Sequence, residues 1–469
     1  MPDVAGGMAV DEVPSRYRRR VVAATSIGTF IEMYDAVLYG YFATVLAAQF
    51  FPEADPTAGL LATFAIFAVG FLVNPIGAII FGHVGDRVGR RSSLAASLLL
   101  MTFATVAFGV LPTYAQVGLL APALLLVCRI LQGLSVSGEI PGSQLLVTEY
   151  AARGRRGRTL AVNNLAGTMA GATAATVGLL LARILSPDQL ADWGWRAAFL
   201  AAAPIGLVGL YLRIRLLDSP AFVALGDLAK QGRAPLFQAF RTARRGMLVL
   251  LAWTAASALG GFLLAGFLPS YLIEVAGLSA SDAYTANLVA LLVQAVSTVS
   301  GGYLADRYPL RRVAIVIMAG IAVTVVPGFW IIIHWHNMTA GLIGQSIWAI
   351  FLGATYTVST LIAMVLFPVA IRFTALAVAT NVGLTAFGGT APYISTWLVS
   401  TTGSPITPAY YLAAAAVVGL LAVTFGLRSG STLDEDPESG TIDLSDPADR
   451  PSSPPRSLDR PVLGPAKGQ

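Results

Sequence analysis

Residues 82–91 read GHVGDRVGRR, and residues 302–312 read GYLADRYPLRR. Each stretch follows a long apolar block, and each keeps the order of a small residue, an aspartate and several arginines. The second copy is less regular, because it carries Pro309 and Leu310 between its arginines. A pattern that recurs at equivalent places along a chain indicates a duplicated unit. The repeat therefore predicts two related halves.

The residue types of this motif suit contacts between helix ends. A small residue lets two helices approach, an aspartate favours a helix N-terminus, and arginines bind helix C-termini or lipid phosphate. Contacts of this kind can form in one arrangement of two rocking halves and break in the other. The alternative is an ordinary positively charged turn. We predict a cytoplasmic gate formed by Gly82, Asp86, Arg87, Gly89, Arg90, Arg91, Asp306 and Arg307.

Apolar blocks make up most of the chain. Of the 469 residues, 56% are hydrophobic and 12% are charged, and the mean hydropathy is +0.71. About 20 mainly apolar residues cross a bilayer as a helix. The composition therefore predicts an all-α integral membrane protein and argues against a soluble globule. Twelve blocks are predicted to span the membrane: 21–47, 58–82, 92–111, 119–149, 159–183, 195–216, 247–274, 285–305, 312–333, 339–368, 373–400 and 408–427.

Lys and Arg predict the orientation of these spans, since basic residues collect in cytoplasmic loops. With the N-terminus inside, 27 of the 30 basic residues fall in inside segments, and only Arg183 and Arg196 lie at outer ends of spans. We therefore expect a multi-pass protein of the cell membrane with both termini in the cytoplasm. The same distribution explains the net charge of +5 without a nucleic-acid partner.

Loop length and composition predict the domain boundaries. Residues 1–20 form a cytoplasmic N-terminal segment, and a basic linker at 217–246 separates a six-helix bundle at 21–216 from another at 247–427. Residues 428–469 are rich in Pro, Ser and acidic residues and have no aromatics, which predicts a disordered cytoplasmic tail. One cysteine and three histidines leave little material for a disulfide framework or a metal site. We expect no metal and no cofactor.

Ionisable residues inside spans are the main functional candidates, because burying them in a membrane is costly. Glu32, Asp35 and Tyr39 share one face of the first span, and Arg129, Gln132 and Glu139 share one face of the fourth. A carboxylate in a low-dielectric cavity binds a proton more readily, and a nearby arginine opposes that. The set therefore predicts proton coupling, with simple neutralisation of Arg129 by one carboxylate as the alternative.

Seven segments together make the chain resemble the major facilitator superfamily, and within it the metabolite:H⁺ symporter family of proline/betaine, 2-oxoglutarate, citrate and shikimate carriers. The resemblance covers residues 20–427. The segments read GTFIEMYDAVLYG (28–40), GHVGDRVGRR (82–91), RILQGLSVSGE (129–139), TEYAARGRRG (148–157), WGWRAAFL (193–200), LFPVAIRFTALA (366–377) and FGGTAPY (387–393).

The resemblance implies twelve transmembrane helices in two pseudo-symmetric six-helix bundles. The first and fourth helices of each half would line a central cavity, so the two polar stripes would face the transport path. Family members often read Glu-Trp-Tyr-Asp-Phe where this chain has residues 32–36, Glu-Met-Tyr-Asp-Ala. They often read Glu-Leu-Phe-Pro-Thr-Arg-Val-Arg where residues 365–372 read Val-Leu-Phe-Pro-Val-Ala-Ile-Arg. Two cavity aromatics and part of the second inner gate are therefore absent.

Two further groups of polar residues lie in later spans. Tyr356 in span ten and Asn381 in span eleven are candidates for substrate contact. Asn163 and Asn164 in span five stand beside a stripe of small residues, and helix packing is the expected role.

The expected function is import of a small organic acid or zwitterion by a monomer in the lipid bilayer, driven by the proton motive force. An exporter of the same fold is the alternative, although the glycine-rich stretch of span five lacks the proline frequent in exporters. An enzyme or sensor is disfavoured, since no catalytic cluster or folded soluble domain is visible. Three carboxylates against one arginine favour a cation or zwitterion, yet family members with anionic substrates carry the same span-one acids. The sequence leaves the charge of the substrate open.

Overall fold

The computed structural model describes residues 26, 29–30, 33–52, 55–88, 90–135, 144, 147–148, 151, 154–204, 206–208, 211 and 243–427, without the side chains of 82, 85–88, 90–94, 369, 370 and 373. These residues belong to one compact unit, and all the regular structure that they form is helical. We call residues up to 216 the N-terminal half and residues from 247 the C-terminal half.

The N-terminal half begins with α1, residues 33–41. It continues with α2 (Ala43–Phe50), α3 (Pro56–Val88), α4 (Arg90–Gly109), α5 (Tyr114–Val117), α6 (Leu120–Ser135), α7 (Arg156–Ile184), α8 (Pro187–Gln189) and α9 (Trp195–Leu200). The chain then forms α10 (Arg244–Phe262), α11 (Leu268–Glu274), α12 (Ala280–Arg307), α13 (Leu310–Trp335), α14 (Met338–Leu366), α15 (Val369–Val382), α16 (Ala391–Thr402) and α17 (Thr407–Gly426). Wider π-helical turns occupy Leu190–Gly194, Leu263–Phe267 and Gly383–Gly388.

Seven helices of the described part are long and apolar enough to cross a membrane: Pro56–Phe81, Arg156–Ile184, Arg244–Glu274, Ala280–Arg307, Leu310–Trp335, Met338–Leu366 and Thr407–Gly426. Each of them contains most of one predicted span. Predicted spans three and four appear as the shorter apolar helices Ala95–Gly109 and Leu120–Ser135. Spans one, four and six include residues outside the described ones. Span eleven is divided, because a π-helical turn and two turn residues separate α15 from α16.

The helical architecture is the one expected of a chain whose apolar composition places it in a lipid bilayer. Hydrocarbon offers no hydrogen-bond partners, so backbone groups must pair within their own helix. Large apolar side chains such as Ile79, Val323 and Phe425 lie exposed on the outside of the helices. Such a surface suits hydrocarbon and would aggregate in water. The structure thus agrees with an integral membrane protein.

Close packing of small residues sets the positions of the helices that carry the site. A Cβ atom at Gly133 of α6 would overlap the carbonyl of Gly70 in α3. A Cβ atom at Gly353 of α14 would likewise overlap the carbonyl of Gln294 in α12. Such contacts let backbones approach closely, which is how membrane helices gain packing energy. Gly133 thereby positions its neighbours Arg129 and Gln132.

Candidate functional site

A cavity of about 160 Å³ lies between helices of the two halves. Met33, Ala36 and Val37 of α1 form part of one wall, and residues of α10, α12 and α14 form the facing walls. Its polar lining consists of hydroxyl and amide groups from Thr29, Gln144, Asn164, Thr168, Thr254, Ser257, Gln294, Tyr356, Ser359 and Thr380. Every described residue that lines this cavity is uncharged. A solute inside it therefore meets neutral hydrogen-bonding groups.

A chain of side-chain hydrogen bonds runs along this cavity and crosses between the halves. The Gln144 amide donates to Asn164 Oδ1 over 2.9 Å, and the Thr360 hydroxyl donates to Gln144 Oε1 over 2.9 Å. Asn164 is 6% exposed, and its Nδ2 has no hydrogen-bond partner among the described residues. The chain thus ends at a residue of the cavity wall whose donor nitrogen is buried and unpartnered among the described residues.

Tyr356, a predicted substrate-contacting residue, lies on the opposite wall of the cavity. Gln294 Nε2 lies 3.4 Å from the Tyr356 hydroxyl, a long hydrogen bond. A Cβ atom at Gly261 of α10 would overlap that hydroxyl, so the absence of a side chain there makes room for the tyrosine. Asn381 does not line the cavity, and its amide donates to the Ala377 carbonyl of its own helix over 2.8 Å.

A buried ion pair among the membrane helices of the N-terminal half joins Asp35 to Arg129. Arg129 Nη1 lies 3.4 Å from Asp35 Oδ2, and each residue is only 4% exposed. The Thr105 hydroxyl and the Gln132 amide each donate to Asp35 Oδ1 over 2.8 Å. Helices α1, α4 and α6 thus meet at one carboxylate. Removing either partner of a buried pair would leave an uncompensated charge, at a cost of about 3–5 kcal/mol.

Aromatic rings surround the guanidinium of Arg129. Its central carbon lies 3.8 Å from the centre of the Tyr39 ring and 5.4 Å from the centres of the Phe67 and Phe108 rings. The Tyr39 hydroxyl donates to the Thr63 carbonyl over 2.7 Å, which holds its ring in place. A desolvated cation over an aromatic face gains about 2 kcal/mol. The rings therefore stabilise an arginine whose Nε and Nη2 lack hydrogen-bond partners among the described residues.

The ion pair lies beside the central cavity and not on its wall. Asp35, Arg129 and Gln132 line a smaller cavity of about 40 Å³, which shares Met33 and Ala36 with the central one. In this arrangement of the helices Asp35, Arg129 and Gln132 thus do not line the central cavity, and the expectation that their stripes face the transport path stays a prediction. The reason for this placement is rotational, since α1 turns Asp35 toward α4 and α6 and turns Met33, Ala36 and Val37 toward the centre.

The second copy of the repeated motif joins the two halves at one end. Asp306 Oδ1 accepts the Gly157 N–H over 2.7 Å, and Asp306 Oδ2 accepts the Arg158 N–H over 3.1 Å and pairs with Arg158 Nε over 3.2 Å. A Cβ atom at Gly302 would overlap the Gly157 carbonyl. An aspartate thus caps the first turn of α7 from the other half, where the helix dipole favours a negative charge.

An arginine of the same copy binds a helix C-terminus. Arg311 donates to the Thr424 carbonyl of α17 through Nε over 3.2 Å and through Nη2 over 2.7 Å. Arg307, predicted as part of the gate, is exposed at the end of α12. Several other predicted site residues lie wholly or partly outside the description: Glu32, Glu139 and Gly89 are not among the described residues, Gly82 is described by its helical backbone alone, and the side chains of Asp86, Arg87, Arg90 and Arg91 are not described.

A second set of contacts between the halves lies on the other side of the central cavity. The Tyr41 hydroxyl donates to Asn287 Oδ1, and the Tyr284 hydroxyl donates to the Tyr41 carbonyl over 2.7 Å. Asn287 Nδ2 in turn donates to the Leu264 carbonyl, in a π-helical turn, over 2.7 Å. A Cβ atom at Gly40 would overlap the backbone of Gly266. The halves are therefore in contact on both sides of the cavity.

Several residues of the site were not predicted from the sequence. Thr105, Gln144 and Gln294 are uncharged polar residues of predicted spans, and no local pattern distinguishes them from the other polar residues there. The sequence predicts a packing role for Asn164, but the residue lines the cavity. Asn163 and Asn164 are adjacent in the sequence, and nothing in the sequence indicates which of these two asparagines faces the central cavity.

Comparison with known proteins agrees with this arrangement. The model of the Major Facilitator Superfamily matches residues 25–384. The proline/betaine transporter of Escherichia coli (strain K12) is 34% identical over 421 residues, which cover 86% of this chain and 82% of that protein. The proline/betaine transporter of Salmonella typhimurium (strain LT2) is 34% identical with the same coverage.

Solved structures show the same fold at lower identity. A proton:xylose symporter bound to 6-bromo-6-deoxy-D-glucose superimposes with a TM-score of 0.68 at 19% identity, covering 88% of this chain and 96% of that one. The xylose transporter from E. coli in a partially occluded inward-open conformation gives a TM-score of 0.67 at 16% identity, covering 88% and 97%. The chain belongs to the major facilitator superfamily, a family of membrane transporters and not of enzymes.

Proposed function

We propose that this protein imports a small organic acid or zwitterionic metabolite together with protons, by alternating access. The observation that carries the proposal is a neutral polar cavity between the two halves, lying next to a buried ion pair. The cavity offers a place for a solute, and the carboxylate of the pair offers a place for a proton. The names of the two bacterial relatives support a solute of the proline or betaine kind.

The proposed architecture is twelve transmembrane helices in two pseudo-symmetric six-helix bundles, residues 21–216 and 247–427. Residues 1–20, the linker at 217–246 and a disordered tail at 428–469 would lie in the cytoplasm. We propose that the protein is a monomer in the cell membrane. Both termini would lie in the cytoplasm, because basic residues collect in the inside segments. It would need no cofactor beyond the proton gradient.

Proton coupling would act through Asp35. Protonation would neutralise the carboxylate and weaken its hold on Arg129, which would keep its contacts with the aromatic rings. α1 carries Asp35 on one face and Met33 and Ala36 on the face toward the central cavity. A shift of α1 on protonation of Asp35 would therefore move part of the wall that contacts the solute. Glu32 and Glu139 remain proposed members of the same proton pathway.

Alternating access would use the two sets of contacts that join the halves. The contact of Asp306 with α7 would close the cytoplasmic side, and Asp86 with its neighbouring arginines would form the equivalent gate of the first copy. The contacts of Tyr41 with Asn287 and Tyr284 would close the opposite side. Breaking one set while keeping the other would open the cavity to one side at a time.

The lining of the cavity bears on the charge of the solute. A dianion among neutral groups would lose its hydration without gaining a compensating charge, and that loss is costly in a low-dielectric site. A zwitterion carries its own balancing charge. Among the candidate substrates, the described lining therefore favours solutes such as betaine or proline over 2-oxoglutarate or citrate.

Uptake into liposomes tests the proposal. The purified protein is reconstituted, an inward proton gradient is imposed, and radiolabelled betaine, proline, shikimate, 2-oxoglutarate and citrate are offered in turn. We expect accumulation of betaine or proline that an uncoupler abolishes. Expulsion of a cationic dye, with no accumulation of any of the five solutes, would instead establish the exporter alternative.

A further inference from the structure

We propose that the side-chain amide of Asn164 binds the carboxylate of the transported solute. The inference rests on the proposed function, because it assumes that the solute carries a carboxylate. Asn164 lines the central cavity and is 6% exposed, and its Nδ2 is a buried donor without a partner among the described residues. Leaving such a donor unpaired costs about 1–3 kcal/mol, which an acceptor in the cavity would recover.

The hydrogen bonds around Asn164 leave its donor group for the solute. Gln144 donates to Asn164 Oδ1 over 2.9 Å, so the acceptor end of the Asn164 amide is already occupied. Gln144 itself is held by the Thr360 hydroxyl, 2.9 Å from its Oε1. The two N–H bonds of Nδ2 are therefore the unpaired part of the side chain; they are buried in the wall as it stands, and a carboxylate that reaches them would pair them.

Charge considerations favour a carboxylate over a neutral acceptor. A hydrogen bond to a charged group contributes more than one between neutral groups. No cation lines the described part of the central cavity, and the guanidinium of Arg129 lies in the neighbouring small cavity, paired with Asp35. Neutral donors on the wall must therefore provide the binding, and Asn164 is the wall residue with an unpartnered buried donor nitrogen.

The link to Thr360 gives this binding a structural consequence. Asn164 and Gln144 belong to the N-terminal half, and Thr360 of α14 belongs to the C-terminal half. A carboxylate that orders the Asn164 amide also orders the partner that bridges the halves. Binding of the solute would thereby affect the contact between the N-terminal and C-terminal halves.

The test is a change of selectivity between glycine betaine and choline, which carries a hydroxymethyl group in place of the carboxylate. Asn164→Asp keeps an oxygen for the Gln144 amide and replaces the donor nitrogen with a negatively charged acceptor. Binding of both probes to purified full-length protein is measured by calorimetry. We expect the wild type to prefer betaine, and Asn164→Asp to weaken betaine binding by about 10- to 100-fold while choline binding is kept or strengthened.

Two further variants separate binding from folding. Asn163→Asp places the same change one position earlier, off the cavity wall, and should leave the ratio of betaine to choline affinity unchanged. If Asn164→Asp does not yield folded protein, Asn164→Ser removes the donor amide without adding a charge and should lower the ratio.

The outcomes distinguish the inference from the proposed function. An unchanged affinity ratio in folded Asn164 variants, with betaine still accumulated by wild-type liposomes, overturns the role of Asn164 and leaves the proposed function standing. A wild type that binds neither betaine nor any other carboxylate-bearing solute of the panel overturns both. An equal loss of betaine and choline binding also overturns the inference, because it indicates a structural role.

Discussion

Replacing Asp306 with asparagine should weaken the contact that joins the two halves at one end, the proposed cytoplasmic gate. The Asp306 carboxylate accepts backbone N–H groups of Gly157 and Arg158 at 2.7 and 3.1 Å. Asparagine keeps one acceptor oxygen but turns an N–H donor toward the second backbone N–H. A hydrogen bond to a charged group contributes about 1.5–3 kcal/mol, and a charge at a helix N-terminus adds about 0.3–1 kcal/mol.

A loss of about 2–3 kcal/mol would change the ratio of closed to open molecules by about 30- to 150-fold. Spin labels at Arg155 and Tyr308, which are both exposed, would report the distance between the halves at this end. The single native cysteine, Cys128, is buried and would be replaced by alanine to leave only the two labelled sites. Pulsed electron resonance would then give the closed and open populations.

Arg158→Ala is the matched control. The Arg158 side chain is 43% exposed, and exposed ion pairs contribute about 0–1 kcal/mol, so the populations should change less than about fivefold. The reasoning would be refuted by equal shifts for Arg158→Ala and Asp306→Asn. It would also be refuted by an unchanged distance distribution in a folded Asp306→Asn protein.

Other consequences of the structure can be tested with single substitutions. Asp35→Asn keeps the shape of the side chain but cannot lose or gain a charge, so proton-driven accumulation should be lost while solute counterflow persists; unchanged accumulation would remove Asp35 from the coupling role. Gly133→Ala places a methyl group against a carbonyl of α3 and should destabilise the protein by about 1–3 kcal/mol in thermal unfolding, whereas Gly59→Ala, with its nearest neighbour at 3.6 Å, should not. Gly261→Ala should raise the KM for the solute by displacing the Tyr356 hydroxyl, and adding Tyr356→Phe should restore much of the loss, so additive effects would contradict the contact.

The burial of Arg129 shows why this position tolerates a charge in a membrane helix. Its positive charge is stabilised by one carboxylate at 3.4 Å and by three aromatic rings. Such mixed compensation leaves a partner that survives protonation of Asp35. An arginine held only by the carboxylate would lose all its support if Asp35 took up a proton as proposed, whereas the rings would continue to stabilise Arg129.

The apolar blocks and the repeated motif already predicted the class of fold. Seven of the twelve predicted spans are confirmed as long apolar helices, because the hydrocarbon of a bilayer dictates both length and hydrogen bonding of a span. The predicted contacts of the motif with a helix N-terminus and a helix C-terminus are both seen in its second copy, through Asp306 and Arg311. Those expectations needed only residue types, order and spacing.

The sequence by itself thus determined the membrane class, seven of the helical spans and the residues that carry charge within the apolar blocks. Only the tertiary structure decided which face of each helix meets the cavity. Asp35 and Met33 are two residues apart on α1, so they point in different directions around a helix of 3.6 residues per turn. Their spacing alone does not show which of the two points toward the centre of the protein. That choice depends on Thr105, Gln132 and Phe108, which reach Asp35 and Arg129 from distant parts of the chain. Contacts of this kind are set by how helices pack, and helix packing is a property of several segments at once.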